Sequence, residues 1–482
     1  MSPLSGPGAV GGRRALGDIL VQVVGRVGNL ALGVLVTALV ARTLGDRGFG
    51  QWSTVFIVLQ LATYFTDLGL ESLAVQRAAA DPEREPQWLG ALLEIRVVLA
   101  VPFTVISAIV AVLLAESHQM LVTGLIASAC VVVSVPSALV AAFQVRVRNH
   151  ITTGIVTANS VLWAAAVIVL ADRNASMVAF AVSFLAVAVV TSALQIFFAL
   201  RTTSIRFGGT ARLRRELIEV GVPLAISGVL ITAYARIDQI IVFEAAGDRQ
   251  AGLYAAAYRI LEQSHFVPLA VMTTLFPMIA ASYATDRARV QRLLQVAADY
   301  LAVVSLGALA FTLVASDQII HLVFGPQFAD AAPALPILMG AFVLISFGYL
   351  AGNMIIILRL QRVFIRYALL ALAVNVILNL ALVPTYGFLA AAWITLATEV
   401  VVVALSVRAV VRELGFAPSL TRILRTVVAA GLLAVALAGL REAGAELGIL
   451  AAAAVVLYPA LLIVLRAVIP REALAVLRRE SP

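Results

Sequence analysis

The sequence predicts an all-α polytopic membrane protein with about fourteen transmembrane helices. Three observations carry this: an apolar excess, its division into bilayer-length segments, and a one-sided distribution of arginine. Of 482 residues, 62% are hydrophobic and 12% charged, with a mean hydropathy of +1.03. Ordinary soluble domains are about 45–50% apolar and about 25% charged. That balance excludes a soluble enzyme, a nucleic-acid-binding protein and a disordered scaffold. The net charge of +8 comes from 34 Arg and no Lys against 26 acidic residues. On a membrane protein such a surplus reports loops lying against an anionic leaflet. The single Cys130 leaves no intramolecular disulfide and no Cys-based metal site.

Arg13 and Arg14 precede an apolar stretch at 17–41, too long for the 7–15-residue core of a cleavable signal. It is read as the first span. At about 20 residues per crossing, segments follow near 52–70, 91–115, 120–143, 151–171, 176–200 and 217–243. The second seven lie near 252–282, 296–316, 333–357, 363–383, 388–410, 421–440 and 447–468. Twelve spans is the fallback if the last pair is misjudged. With the N-terminus in the cytoplasm, 25 Arg fall on the cytoplasmic side and five outside, at 42, 47, 173, 249 and 441. Dropping one helix would scramble this bias, so the positive-inside rule predicts an even number of spans with both termini cytoplasmic. The longest loops, about 71–90 and 201–216, are too short to be domains.

A repeat organises the spans. Gly45-Asp46-Arg47-Gly48-Phe49-Gly50 and Gly247-Asp248-Arg249-Gln250-Ala251-Gly252 match as GDRxxG, and Trp52 and Tyr254 follow each copy two residues on. Six segments separate the copies, an even number, so both enter the membrane in the same orientation. This predicts two six-helix lobes related by a pseudo-two-fold axis along the membrane normal, with a cavity between them. The expected units are 1–205 (N-lobe, helices 1–6), 206–412 (C-lobe, helices 7–12) and 413–482 (helices 13–14 and a cytoplasmic tail).

An ionisable residue at a helix centre costs roughly 2.5–3.5 kcal/mol on insertion scales, so it should face a wet cavity or a partner. Four Arg lie inside spans: Arg26, Arg96, Arg236 and Arg259. In segment 1, Asp18, Gln22, Arg26, Asn29, Gly33 and Thr37 fall on one helical face, with Arg26 at its middle. Segment 2 places Ser53, Gln60, Tyr64 and Asp67 together, with Glu71 just beyond; for Asp67, helix pairing weighs as much as transport. Segment 7 groups Glu219, Ser227, Tyr234 and Asp238; Arg236 points the other way on this count, near the outer end, where it can snorkel, and lining the cavity weighs equally for it. Segment 8 groups Tyr254, Tyr258, Glu262 and His265, with Arg259 at the edge and a kink expected at Pro268 and Pro277. Glu399 is a lone carboxylate one turn after Thr395, and Asn375 and Asn379 read as helix–helix glue.

The candidate substrate-binding set is therefore Gln22, Arg26, Asn29, Arg236, Tyr258 and Arg259. Asp67, Asp238, Glu262 and Glu399 are the candidates for ion coupling. With no Lys, a phosphate-binding GxxxxGK[ST] loop is impossible. The four His are scattered without metal-ligand spacing, and no nucleophile stands beside a base. The reading is a non-enzyme with no cofactor and no metal.

The chain resembles oligosaccharide flippases of the polysaccharide-transporter family, within the multidrug/oligosaccharidyl-lipid/polysaccharide exporter superfamily. The resemblance covers roughly residues 15–410. It rests on ARTLGDRGFGQWSTVF (41–56), TDLGL (66–70), RIDQIIVFEAAGDRQAGLYAAAYRILE (236–262), LFPMIA (275–280), FGPQFADAAPAL (324–335) and NVILNLALVPTYGFLAAAWITLATE (375–399). The resemblance implies transfer of a polyprenyl-diphosphate-linked glycan across the bacterial cytoplasmic (inner) membrane by alternating access. It also implies a cationic cavity, with Arg26 matching a cavity arginine of such transporters, and helices 13 and 14 beside the core. Expected partners are the lipid-linked glycan, membrane lipids, and glycan polymerase and glycosyltransferase neighbours, with no nucleic acid. One departure separates it from the lipid II flippase subgroup, whose members carry an arginine in helix 2; residues 52–70 contain none. The alternative is a cation-coupled multidrug exporter of the same superfamily, which the four carboxylates support and Arg26 opposes. A membrane glycan polymerase would be expected to have a large outer loop, and the longest here is about 317–332.

Overall fold

A computed structural model describes residues 12–67, 69–146, 148–208 and 211–467. The side chains of 12–27, 29–31, Asn149 and 222–231 lie outside the description; Gln22, Arg26 and Asn29, and with them the centre of the segment-1 stripe, are therefore outside the described side chains. No strand occurs among the described residues. The helices are α1 (Gly12–Asp67), α2 (Leu70–Ala80), α3 (Glu85–Leu114), α4 (His118–Val133), α5 (Val140–Val145), α6 (Asn149–Asp172), α7 (Met177–Thr202) and α8 (Ala211–Tyr234). They continue with α9 (Ile237–Ala246), α10 (Asp248–Ser264), α11 (Phe266–Ser282), α12 (Arg287–Phe324), α13 (Ala334–Ile357), α14 (Gln361–Leu414), α15 (Leu420–Glu442) and α16 (Leu447–Val464).

Eleven helical stretches among the described residues are long and apolar enough to cross a membrane. Two of them, in α1 and α14, are broken by non-helical Gly45 and Gly387, and α8–α9 occupies the place of segment 7. The arrangement is compatible with fourteen crossings. Large apolar side chains on the outside, such as Val98, Val101, Ile109 and Leu113 along α3, suit a surface solvated by hydrocarbon. The helices overrun the predicted segments, because hydropathy marks only their apolar middles. Much of the expected 71–90 loop is α2 and the start of α3. The expected 317–332 loop is the end of α12 followed by a 3-10 turn at Pro326–Ala331.

Call the end of the bundle bearing both GDR turns the turn end, and the other the terminal end. Gly45 (φ 73°) and Gly247 (φ 85°) each take the left-handed conformation that restarts a helix in a new direction. Asp46 and Asp248 open the next helix and accept hydrogen bonds from the Arg47 and Arg249 amides at 2.8 and 2.6 Å. One turn on, the copies meet each other. A Cβ on Gly50 would overlap the Asp248 carbonyl oxygen, and a Cβ on Gly252 would overlap the Asp46 carbonyl oxygen. Such an exchange of equivalent contacts is what a local two-fold axis between the copies produces. Phe49 packs against Phe324 and Phe328, with ring centres 6.3 and 5.8 Å apart, and buries the turn end in one apolar core.

At the terminal end, the first turns of α8 pack against α2 and α3. Leu213 and Leu217 share a core with Leu70, Trp88 and Leu92, and Arg77–Glu216 and Arg214–Glu94 pairs close at 3.1 and 2.7 Å. The connection leading into α8 is tied down as well: the Arg206 amide bonds the Pro86 carbonyl at 3.0 Å. The 205/206 boundary thus falls in a segment whose contacts are with α3.

Candidate functional site

Between the two groups of helices lies a cavity of about 790 Å³, reaching from Phe49 near the turn end to Asp67 and Arg96 near the terminal end. Gly33 and Thr37 line it, so the described end of the segment-1 stripe faces the cavity as its spacing predicts. Arg26 lies further along. Nineteen residues, ~28 Å of helix, separate it from Gly45, so it belongs to the terminal half of its limb.

The second group of helices supplies the densest charge. Arg236 and Arg259 both pair with Glu262, the latter at 3.0 Å, and all three line the cavity. Lining the cavity, the alternative weighed equally for Arg236, is what the structure has, and the helical count that pointed it away is corrected. It assumed one uninterrupted helix, but α8 ends at Tyr234 and α9 begins at Ile237. The 100°-per-residue count breaks at that point and turns Arg236 inward. Nor is it near the outer end: eleven residues, ~16 Å, separate it from Gly247, about half of a ~30 Å hydrocarbon core. Tyr258 lines the cavity too, while its hydroxyl donates to the Ala235 carbonyl at 2.9 Å. It satisfies a backbone group freed by the break and so positions Arg236.

The same break turns Asp238 away from the cavity. Its carboxylate accepts from the Gln239 amide (2.8 Å), the Tyr254 hydroxyl (2.6 Å) and the Thr395 hydroxyl (3.3 Å), at 3% exposure. Glu399 accepts from Tyr234 at 3.0 Å. Neither is among the cavity-lining residues. Asn375 and Asn379, expected to join two helices, instead bond each other one turn apart within α14, at 3.0 Å.

Sequence reasoning missed Arg96 as a site residue. It is 3% exposed, lines the cavity, and pairs with Asp67, with Glu71 at 3.8 Å and Ser137 at 3.0 Å. The signal was present: an arginine inside an apolar span demands a partner, and Asp67 was a carboxylate without one. The charged lining described is thus three arginines against two carboxylates, Asp67 and Glu262, each carboxylate engaged by arginine. Such a site suits an anion that can share guanidinium groups bidentately.

The opposite wall is aromatic. Trp52 stacks on Phe56 at 4.0 Å and lies parallel to Trp163 at 6.4 Å. Phe184 meets Phe56 and Trp163 edge-on at 4.8 and 5.2 Å. Among the described residues, no three His, Cys, Asp or Glu side chains converge as a metal site would require.

Solved structures share this two-sided helical bundle. A solved structure of the lipid II flippase MurJ in an inward closed conformation superposes with a TM-score of 0.74 at 12% identity, over 93% of this chain and 99% of that one. An inward-facing multidrug resistance MATE family transporter of the MOP superfamily gives 0.66 at 16% identity, over 80% of this chain and 94% of that one. Both show the fold. The family described as "Polysaccharide biosynthesis protein" matches residues 39–333, more than half of the sequence, and the chain belongs to it. Among curated proteins, the "Probable flippase AglR" of Haloferax volcanii is 26% identical over 209 residues. That match spans 42% of this chain and 44% of the relative.

Proposed function

We propose that the protein is a flippase that moves a polyprenyl-diphosphate-linked oligosaccharide across the cytoplasmic membrane by alternating access. The carrying observation is the Arg236–Glu262–Arg259 cluster, placed in the cavity ~16–22 Å of helix from the Gly247 turn. A diphosphate leaving the headgroup region needs cationic partners there, and Glu262 holds both guanidinium groups in place until the anion competes for them. Glycan hydroxyls need polar partners, which Gln60, Asn159 and Ser160 of the lining supply, while the lipid tail stays in hydrocarbon. Family membership and the flippase named among the relatives support this reading. Arg26, with Gln22 and Asn29, is assigned to the entry side, one polar stripe with Gly33 and Thr37. Asp67 and Glu262 hold arginines, so ion coupling is assigned to Asp238 and Glu399. The multidrug-exporter reading wants carboxylates free to meet a cationic ligand, and both lining carboxylates are engaged by arginine.

The direct test is reconstitution. Purified protein in liposomes should transfer a fluorescent polyprenyl-diphosphate glycan between leaflets faster than protein-free liposomes; equal rates contradict the proposal. Orientation follows the arginine bias, with the terminal end in the cytoplasm. In a Cys130→Ala background, cysteines replacing exposed Arg47 and Arg212 should label from outside and from inside respectively; the reverse pattern inverts the topology.

A further inference from the structure

The two cavity walls stand at matching places in the repeat and carry different chemistry. Adding the 202-residue offset of the GDRxxG copies takes Phe56 to Tyr258, Ile57 to Arg259 and Gln60 to Glu262. At the two ionic positions, Arg259 and Glu262, the other copy is uncharged, with Ile57 and Gln60, while Phe56 and Tyr258 are aromatic in both. The levels agree as well. Phe56 and Arg259 lie eleven and twelve residues past their glycines, and Trp163 nine before the end of α6 at Asp172. These separations correspond to ~14–18 Å of helix. Tryptophans of membrane proteins ordinarily gather at the interfaces. Trp163 instead lies near mid-depth and lines the cavity, so the interfacial belt does not account for it.

We propose that this wall is a stacking subsite for a sugar ring of the headgroup whose diphosphate the opposite arginines bind; the proposal rests on the flippase reading above. A pyranose has a ring face of axial C–H bonds, which are apolar and weakly positive, and an indole face is apolar and weakly negative. Hydroxyls around the ring need polar partners beside the platform, and these are present. Asn159, Ser160 and Gln60 line the same cavity. Thr191 donates to Asn159 Oδ1 at 2.9 Å, which fixes the amide so that its NH2 group is the donor left for a ligand. The Ser160 hydroxyl donates to the Val156 carbonyl at 3.0 Å, so its oxygen is an acceptor. A hydrocarbon tail would leave these groups unpaired, and the bundle's apolar exterior already offers the tail a place. The two ends of one headgroup thus engage the two lobes, and a bound ligand couples their motion.

The test is equilibrium binding to the purified full chain in nanodiscs, using two probes of equal charge: a short polyprenyl diphosphate whose terminal phosphate is capped either by a methyl group (the bare probe) or by one N-acetylglucosamine. Wild type should bind the glycosylated probe about fivefold more tightly, the scale of one aromatic contact. Trp163→Ala should bind both probes equally, at the wild-type affinity for the bare one. Trp163→Phe should keep part of the preference, and it guards against a misfolded alanine variant. Arg259→Ala should weaken both probes alike. A wild type that binds both probes equally overturns the subsite and leaves the flippase reading standing. Trp163→Ala or Trp163→Phe weakening both probes by the same factor also overturns it, assigning the wall to packing or to the lipid tail. Binding of neither probe by wild type removes the flippase reading, and the subsite with it.

Discussion

The two GDRxxG copies are alike where they touch and unlike where they line the cavity. At the turn end, Gly50 and Gly252 each lie against the other copy's aspartate carbonyl, a contact that only a missing side chain allows. Two turns deeper the constraint is gone. One copy carries Arg259 and Glu262, the other Ile57 and Gln60, with Trp52, Phe56 and Trp163 stacked nearby. Close backbone approach requires glycine in both copies at one depth, and at the next no such contact holds them alike. On the proposed reading, the shared turn serves closure and the divergent walls serve recognition.

Breaking the shared part should have the largest effect. Gly50→Val or Gly252→Val places a branched side chain on a carbonyl oxygen of the opposite copy, and rigid backbone cannot yield. Either variant should hold the turn end open, so that a cysteine replacing Thr37 in the cavity reacts with an impermeant reagent from the turn side. Equal reactivity in the unsubstituted background would show that these glycines do not close the cavity. The reciprocal geometry also predicts that the two substitutions behave alike.

A smaller loss is expected from Arg96→Ala, which leaves Asp67 without its cationic partner. Removing one member of a buried ion pair typically costs ~3–5 kcal/mol, and because Asp67 is a third exposed the loss should fall at or below the low end. Thermal unfolding in detergent should show a lower midpoint, largely restored by the double change Arg96→Gln with Asp67→Asn. A midpoint equal to wild type in Arg96→Ala would mean that the pair is not structural.

The sequence made the bundle, the repeat and the described part of the helix-1 stripe legible, because all three depend on spacing within continuous helices. Gly33 and Thr37 line the cavity as their period requires. Periodicity failed at Arg236 because nothing in Ala233-Tyr234-Ala235-Arg236 announces a helix break; there is no proline or glycine there. It missed the Arg96–Asp67 pair for a different reason. The sequence showed that Arg96 and Asp67 each needed a partner, but which one is set by how two helices 29 residues apart pack. The aromatic wall was likewise invisible, since Trp52, Trp163 and Phe184 come from three different spans, each reading alone as core.

The central claim is that the cavity arginines Arg236 and Arg259, with Arg26 assigned to the entry side, hold an anionic headgroup during transfer. It is tested most directly by glycan export in a flippase-null strain expressing Arg26→Ala, Arg236→Ala or Arg259→Ala, with membrane protein level as the control. The account predicts that each variant inserts at normal level and loses export. Lysine at the same positions should recover only part of it, because an ammonium lacks the planar fork. Wild-type export by well-expressed Arg236→Ala and Arg259→Ala proteins would contradict it.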